Sequence, residues 1–507
     1  MEKITSQSSL DSKIKSICDI MRRSNAAGAL QYVPELSWIL FLRILDDREE
    51  LEQKEAEIVG ASFTPSLSYP YRWQDWASPA GEKRKELQNG MAGDVFKFVN
   101  GNPENESNNL GLLPYLKNLK DKPGSTPRQR VISEVVSGID KTTLDTERNF
   151  LDVIDKVDEI RQEGIDETHI FTLSQAYEGL LLNMGEKNND GGQFFTPREI
   201  IRAMIKVVKP KIGETVYDPA SGTGGFLAQS YQYMKKSLGQ SATAEQMSNL
   251  SNNTFYGREK ENLIYPIALA NLVLHGIDTP HIWHGNTLTK NESYGGLFKG
   301  SPEQYDVILM NPPFGGKEGQ DAQANYPYKT GSTQVLFMQE IIDSLSVSGR
   351  AGIVIDEGLL FRTNDKAFVQ TKRKLIEECD LWCIVSLPGG VFTSAGAGVK
   401  TNLMFFDKGK STENIWYYDM SDLKITKRKP LTSEHFNEFF KLLPERAESE
   451  NSWSVTREEI EKKNYDLKAV NPNKVEEVDT RTPEEIIKII DDKGKEIQEL
   501  LTKLRKI

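Results

Sequence analysis

Hydrophobic positions along the chain change their period near residue 190. Before it they recur at helical spacing: Leu10, Ile14, Ile17, Cys18 and Met21, then Leu36, Leu40 and Leu45 within PELSWILFLRILDDREELEQKEAEI. A three-to-four residue recurrence is the buried stripe of an amphipathic helix. Residues 60–92 are rich in turn formers and aromatics and predict a long ordered loop. After about Asp190, seven short apolar runs alternate with helical windows: TVYDPA, NTFYGRE, HIWHGNTL, YDVILMNPPF, GRAGIVIDEG, LWCIVSLPG and TNLMFFDKG. Strands spaced by helices predict a mostly parallel α/β sheet with helices on both faces. Such sheets bind ligands at the carboxyl ends of their strands. Asp218, Glu259, Asn286 and Asn311 all follow predicted strands. From about Lys410 the chain is mixed and highly charged. Near its end Ile490, Ile497 and Leu504 fall seven apart, with Ile487 and Leu501 beside them and Gly494 interrupting. That stripe suits a helix packed on its own domain or one that docks a partner.

At 507 residues the chain predicts two or three domains. No apolar run approaches the roughly 18 residues of a membrane span. MEKITSQSSL carries no apolar signal core. Three cysteines without metal spacing suit a reducing cytoplasm. His281 and His284 lie three apart with no acid or cysteine to complete a metal site, and no metal is expected. The net charge of −11 argues against a protein that grips nucleic acid by itself. If it acts on nucleic acid, a partner supplies much of the grip.

In TVYDPASGTGGFL a strand ends at Asp218, and Gly222, Gly224 and Gly225 precede a helix. Glycines let backbone approach a ligand, and a helix N-terminus offers free N–H groups. The spacing is neither GxGxxG nor a phosphate-binding Walker loop. The later GKST at 409–412 fails as one, because Met404 stands where its first glycine belongs. Glu259, ending the second strand, suits ribose hydroxyls, since a carboxylate can accept from both. Asn286, after the third, suits an adenine edge. These features fit S-adenosylmethionine (SAM) as well as NAD.

The turn Asn311-Pro312-Pro313-Phe314 decides between them. An exocyclic aromatic amine is a poor nucleophile, because its lone pair is delocalised into the ring. Methylating it requires acceptors that hold both amine hydrogens and favour a tetrahedral nitrogen. The Asn311 side-chain oxygen and the Pro312 carbonyl, on a turn fixed by proline, supply two. Phe314 supplies a face on which an extruded base can stack.

DPASGTGGFL, NPPF, GQFFTPREI at 192–200 and SLPGGVFTSAGAGVKTNLMFFDKG together resemble the N6-adenine DNA methyltransferases. More narrowly, the chain resembles the modification subunit of Type I restriction–modification systems, over nearly its whole length. The likeness includes SQAYEGLL at 174–181 and NYDLKAVNP at 464–472. It implies a doubly wound, mostly parallel seven-stranded SAM-dependent methyltransferase sheet, a helical N-terminal domain and a C-terminal helical tail. It implies SAM contacts from Gln193, Phe194, Phe195, Thr196, Pro197 and Arg198 at the methionine end. Ser221, Gly222, Thr223, Gly224 and Gly225 would cradle the cofactor, Asp218 would lie near its amino group, and Glu259 would take the ribose. Asn286 stands where many relatives carry Asp. Asn311, Pro312, Pro313 and Phe314 would receive the target base, and Phe392 is a candidate wall.

The expected organisation is a helical domain at 1–165, a methyltransferase domain at 166–412, and a C-terminal region at 413–507 whose last helix binds a partner. The expected reaction is methylation of adenine N6 in double-stranded DNA, with the base flipped. The expected assembly is two modification subunits per specificity subunit, optionally joined by a restriction subunit. Three other readings stay open on the sequence: a self-sufficient DNA methyltransferase, a methyltransferase of RNA or protein glutamine, and a non-catalytic assembly protein.

Overall fold

The computed structural model describes residues 7–24, 29–58, 60–101, 111–160, 196–239, 242–290, 300–392, 400–426 and 429–473, with isolated positions between 482 and 497. Gln193, Phe194 and Phe195, the SQAYEGLL segment and most of the loop after Phe392 lie outside the described residues.

The predicted N-terminal helices are present, at Gln7–Arg23 and Ala29–Ile58. Their periodic residues Ile14, Ile17, Cys18, Met21, Leu36, Leu40 and Leu45 are buried. The stretch 60–92 is not loop throughout. It contains short helices at Trp73–Trp76 and Glu82–Asn89. Trp73 and Trp76 are buried, and the Trp73 indole donates to Asp158 at 2.8 Å. The second helix turns Arg84 and Leu87 inward. Arg84 reaches Asp155 at 2.6 Å. A charged residue on the inner face hides the apolar period that would have announced this helix.

The sheet comprises β1 (Val216–Asp218), β2 (Phe255–Glu259), β3 (His281–His284), β4 (Tyr305–Met310), β5 (Leu345–Asp356), β6 (Cys379–Ser386), β7 (Thr401–Lys408), β8 (Asn414–Asp419) and β9 (Ser452–Thr456). Their order is β3-β2-β1-β4-β5-β7-β6-β8-β9. All seven strands anticipated from the apolar runs are present. The expected seven-stranded, mostly parallel sheet is nonetheless corrected to a nine-stranded mixed one. β7 runs antiparallel to both neighbours, and β9 runs antiparallel to β8. β8 had been absorbed into the charged tail. Its Trp416 and Tyr418 are buried in one core and its Ile415 and Tyr417 in the other, while β6 pairs with it in parallel and β9 closes its other edge.

β4 shows why the central strands read as unbroken apolar runs. Val307 and Leu309 point into one core, Ile308 and Met310 into the other. A strand covered on both faces has no polar alternation to display. Helices Arg198–Val208, Gly225–Leu238 and Tyr265–His275 contribute to the first core, and Thr333–Ser344 and Lys366–Glu378 to the second.

β1 pairs with β2 on one side and β4 on the other. The chain therefore leaves β1 toward β2 and β3, then returns to start β4 beside β1. That reversal opens a crevice at the carboxyl ends of adjacent strands. The helical region is tied to the sheet domain by ions. Arg128 reaches Glu52 and Asp278, each at 2.7 Å, and Arg48 reaches Asp278 at 3.0 Å. Asp278 follows helix Tyr265–His275, and Arg48 also donates to the Val273 carbonyl within that helix. Truncating Arg128 to Ala leaves Glu52 and Asp278, both partly buried, with Arg48 as their one remaining shared cation among the described residues. The expected loss is about 2 kcal/mol, read as a lower thermal midpoint that high salt does not restore; an unchanged midpoint would show the tie to be ornamental.

Candidate active site

After β1 the loop is stitched to its neighbours by backbone groups. Ser221 N–H donates to the Arg258 carbonyl at 2.9 Å, and Gly222 N–H donates to Glu259 Oε2 at 2.8 Å. The Thr223 carbonyl accepts from Asn271 Nδ2 at 2.8 Å, and the Pro219 carbonyl accepts from the Thr287 hydroxyl. Glycine is favoured along this loop: Gly222 has φ of 52°. Gly224 has φ of 78°, and a Cβ there would lie 3.1 Å from Leu272 Cδ2. A Cβ on Gly225 would lie 3.1 Å from both Arg198 Nη1 and Ile201 Cδ1. A side chain at either position would push Leu272, or Arg198 and Ile201, back by a few tenths of an ångström, and at Gly224 it would also sit in left-handed backbone.

The sequence-predicted residues converge on one cavity. Thr196, Arg198, Asp218, Ser221, Gly222 and Thr223 line it. So do Gly225, Glu259, Asn286, Asn311 and Pro313. Gly224 caps the helix behind the loop, and Pro197 caps helix Arg198–Val208. Pro312 is buried within the turn, and Phe314 is half-buried and meets Phe392 edge-on, with centroids 5.8 Å apart.

Two carboxylates are buried here, Asp218 at 1% exposure and Glu259 at 6%. Burial pushes Asp218 well above the usual carboxylate range; the Ala220 N–H pulls against it and the neighbouring Glu259 adds to it. Burial likewise pushes Glu259 up to about 7, although the N–H groups of Glu261 and Gly222 favour its charge. Both oxygens of Glu259 accept backbone bonds at 2.8 Å, and each retains a further lone pair. Buried acids short of donors fit a ligand that brings hydroxyls and an ammonium.

The Asn311 amide nitrogen is bonded to Thr196 Oγ1 at 3.0 Å. Its Oδ1 is buried with no partner among the described residues. An unmet acceptor in a cavity is costly, on the order of 1–3 kcal/mol, and fits a ligand that donates. Asn286 differs from expectation in its chemistry. Its Oδ1 accepts from Leu288 N–H at 3.0 Å, and its Nδ2 donates to Glu318 Oε2 at 3.0 Å. The side chain caps the short helical turn Thr287–Thr289, so one amide cannot alone match both atoms of an adenine edge.

Sequence reasoning missed Arg258, Lys260, Lys317, Glu318 and Thr333, which also line the cavity. Glu318 lies four residues past Phe314, and the Asn-Thr-Leu cap signal at 286–288 was available. The histidine pair is structural. His281 stacks on Tyr256 and His284 on Tyr265, at 4.8 and 4.5 Å between centroids.

The N-6 DNA methylase family model matches residues 168–481, and that of the HsdM N-terminal domain matches residues 10–139. The chain belongs to the N-6 DNA methylase family. Within this methylase family, the Type I restriction enzyme EcoEI methylase subunit of Escherichia coli is 34% identical over 98% of this chain and 97% of its own. The EcoKI methylase subunit of Escherichia coli K12 is 28% identical over 89% of this chain and 80% of its own. Among solved structures, one described as the modification subunit of a type I restriction enzyme from Vibrio vulnificus YJ016 is 33% identical. It superposes with a TM-score of 0.81, covering 94% of this chain and all of that one. A chain from a type I restriction–modification assembly is 36% identical, with a TM-score of 0.71 and 98% coverage of both chains. The expected family is thereby borne out: the methylase is of the Type I restriction–modification kind. Among the described residues no helix is long and apolar enough to cross a membrane.

Placing Ala at Gly224 forces an L side chain into left-handed backbone against Leu272. A cost of about 1–3 kcal/mol is expected in chemical denaturation; a loss below half a kcal/mol would mean the loop relaxes freely.

Proposed function

We propose that the chain is the modification subunit of a Type I restriction–modification complex, methylating adenine N6 in double-stranded DNA with SAM as donor. The observation that carries this reading is the unpartnered Asn311 Oδ1, buried in the cavity that also receives the glycine loop and both acids. When bound, SAM supplies a methyl group on a sulfonium, a leaving group already activated. Glu259 would accept the ribose hydroxyls, Asp218 would hold the amino group, and residues 221–225 would give the cofactor close backbone. Gln193 to Arg198 would complete the methionine end; of these, Thr196 and Arg198 line the cavity, and Thr196 bonds Asn311.

Asn311 Oδ1 and the Pro312 carbonyl would accept the two hydrogens of the target amine. Holding both favours a tetrahedral nitrogen, whose lone pair is free to attack. Because the turn is fixed, its acceptors need not reorganise as charge develops. Phe314, supported edge-on by Phe392, would stack on the flipped adenine. That stacking is worth on the order of 1–3 kcal/mol, comparable with the few kcal/mol that extrusion costs. Catalysis rests on placement, without a covalent intermediate.

The net charge of −11 supports a division of labour in which a specificity subunit reads the DNA, served by two modification subunits and joined in some assemblies by a restriction subunit. The terminal helix suits that docking. Ile487, Ile490 and Ile497, the stripe positions among the described residues, are 59%, 63% and 57% exposed, while Leu501 and Leu504 lie outside the described residues. On this reading residues 1–165 frame the site, 166–412 carry out the chemistry in the cytoplasm, and 413–507 carry the partner helix.

Two outcomes are expected. In the assembled complex, Asn311→Ala abolishes methylation of DNA while calorimetry finds SAM binding largely intact; wild-type turnover in that variant would refute the role of the amide. The second concerns Glu259, whose carboxyl must be ionised to accept both hydroxyls. A site with a pKa of about 7 is mostly protonated at pH 6 and mostly ionised at pH 8. Binding of 5′-methylthioadenosine, which carries the ribose without the amino acid, should therefore tighten about tenfold from pH 6 to pH 8. A flat profile would remove Glu259 from the ribose site.

A further inference from the structure

We propose that Glu318, on the loop that follows the Asn311–Phe314 turn, is a specificity-determining residue: it reads the exocyclic amine of the cofactor's adenine, jointly with Asn286. This rests on the reading of the cavity as a SAM site.

An adenine edge presents a donor at N6 and an acceptor at N1, so a protein must answer with an acceptor and a donor side by side. On that reading Asn286, which follows the third strand and lines the cavity, would face the adenine edge, yet its oxygen is committed. The partner of that oxygen is the backbone N–H of Leu288 at 3.0 Å, which fixes the amide orientation, because only the oxygen can meet a backbone donor. Asn286 therefore offers the cavity its remaining Nδ2 hydrogen, a donor suited to N1. The acceptor has to come from elsewhere, and Glu318 is the group beside it. Its Oε2 accepts from Asn286 Nδ2 at 3.0 Å and its Oε1 from the Thr333 hydroxyl at 3.3 Å. A carboxylate offers about four lone-pair sites, so two bonds leave capacity for an amine hydrogen. Glu318, Asn286 and Thr333 all line the cavity. The backbone holds the acid in place. Glu318 N–H donates to the Gly331 carbonyl at 2.9 Å, and Lys317 bridges to Ser332. Because the acid follows the target-base turn by four residues, one loop would serve both ends of the reaction.

The test compares binding of S-adenosylhomocysteine with S-inosylhomocysteine, whose 6-oxo ring reverses the donor and acceptor at this edge. Wild-type protein should prefer the adenosyl compound by on the order of 100-fold in Kd, since the reversed edge leaves buried polar groups unpaired. In Glu318→Ala the acceptor is removed, so the adenosyl amine loses its partner and the inosyl oxygen is no longer repelled; the preference should fall to within about threefold of unity. A merely structural Glu318 would weaken both ligands together and leave the ratio unchanged, which would overturn the assignment. A wild-type protein that binds both ligands equally would overturn it without recourse to the variant. A wild-type protein that binds neither would overturn the SAM reading and this inference with it.

Discussion

Asn311 bonds Thr196 Oγ1 through Nδ2, and its Oδ1 is buried without a partner among the described residues. A folded chain rarely tolerates such an atom, because desolvating an acceptor and leaving it unpaired costs free energy that nothing local returns. The rest of the site is arranged so that this cost is carried. β4 is buried on both faces and pinned between β1 and β5, and the two prolines after Asn311 remove the freedom the turn would need to hide the oxygen. Thr196, at the start of a helix packed against the same core, anchors the nitrogen.

The same constraint recurs along the rim. Asp218 and Glu259 end neighbouring parallel strands, and both are pushed upward in pKa because burial outweighs the backbone donors that reach them. The glycine loop cannot withdraw from them, since its own N–H groups are bonded to the end of β2. A crevice at the reversal point of an open sheet thus holds one acceptor with no partner among the described residues, Asn311 Oδ1, and two buried acids whose oxygens keep lone pairs to spare. On the proposed reading, a ligand with a ribose, an ammonium and an adenine supplies the missing donors at one end, and a target amine supplies them at the other.

Much of this was legible in the sequence. The strands β1 to β7 announced themselves as short runs, most plainly where both faces are buried as in β4, and the residues following β1, β2, β3 and β4 do meet at one cavity. β8 and β9 were not visible. Their pairing joins segments more than thirty residues apart amid charged sequence, and no local period marks that. The helix at Glu82–Asn89 was hidden by Arg84, whose charge is met by Asp155 far along the chain. Asn286 shows the subtler failure. Its residue type was read as a base-edge group, but the cap on Leu288 takes half of its chemistry and transfers attention to Glu318. Position in the sequence shows which residues reach the site; which of their atoms are already spoken for emerges only from the hydrogen bonds.

The central claim is that the free Asn311 oxygen exists to receive a target amine. The most direct measurement is a structure of the assembled complex holding S-adenosylhomocysteine and a duplex with its target adenine. The account predicts the adenine outside the helix, its N6 hydrogens bonded to Asn311 Oδ1 and the Pro312 carbonyl, and its ring on Phe314. An adenine bound elsewhere, or an Asn311 oxygen satisfied by the protein itself, would contradict it.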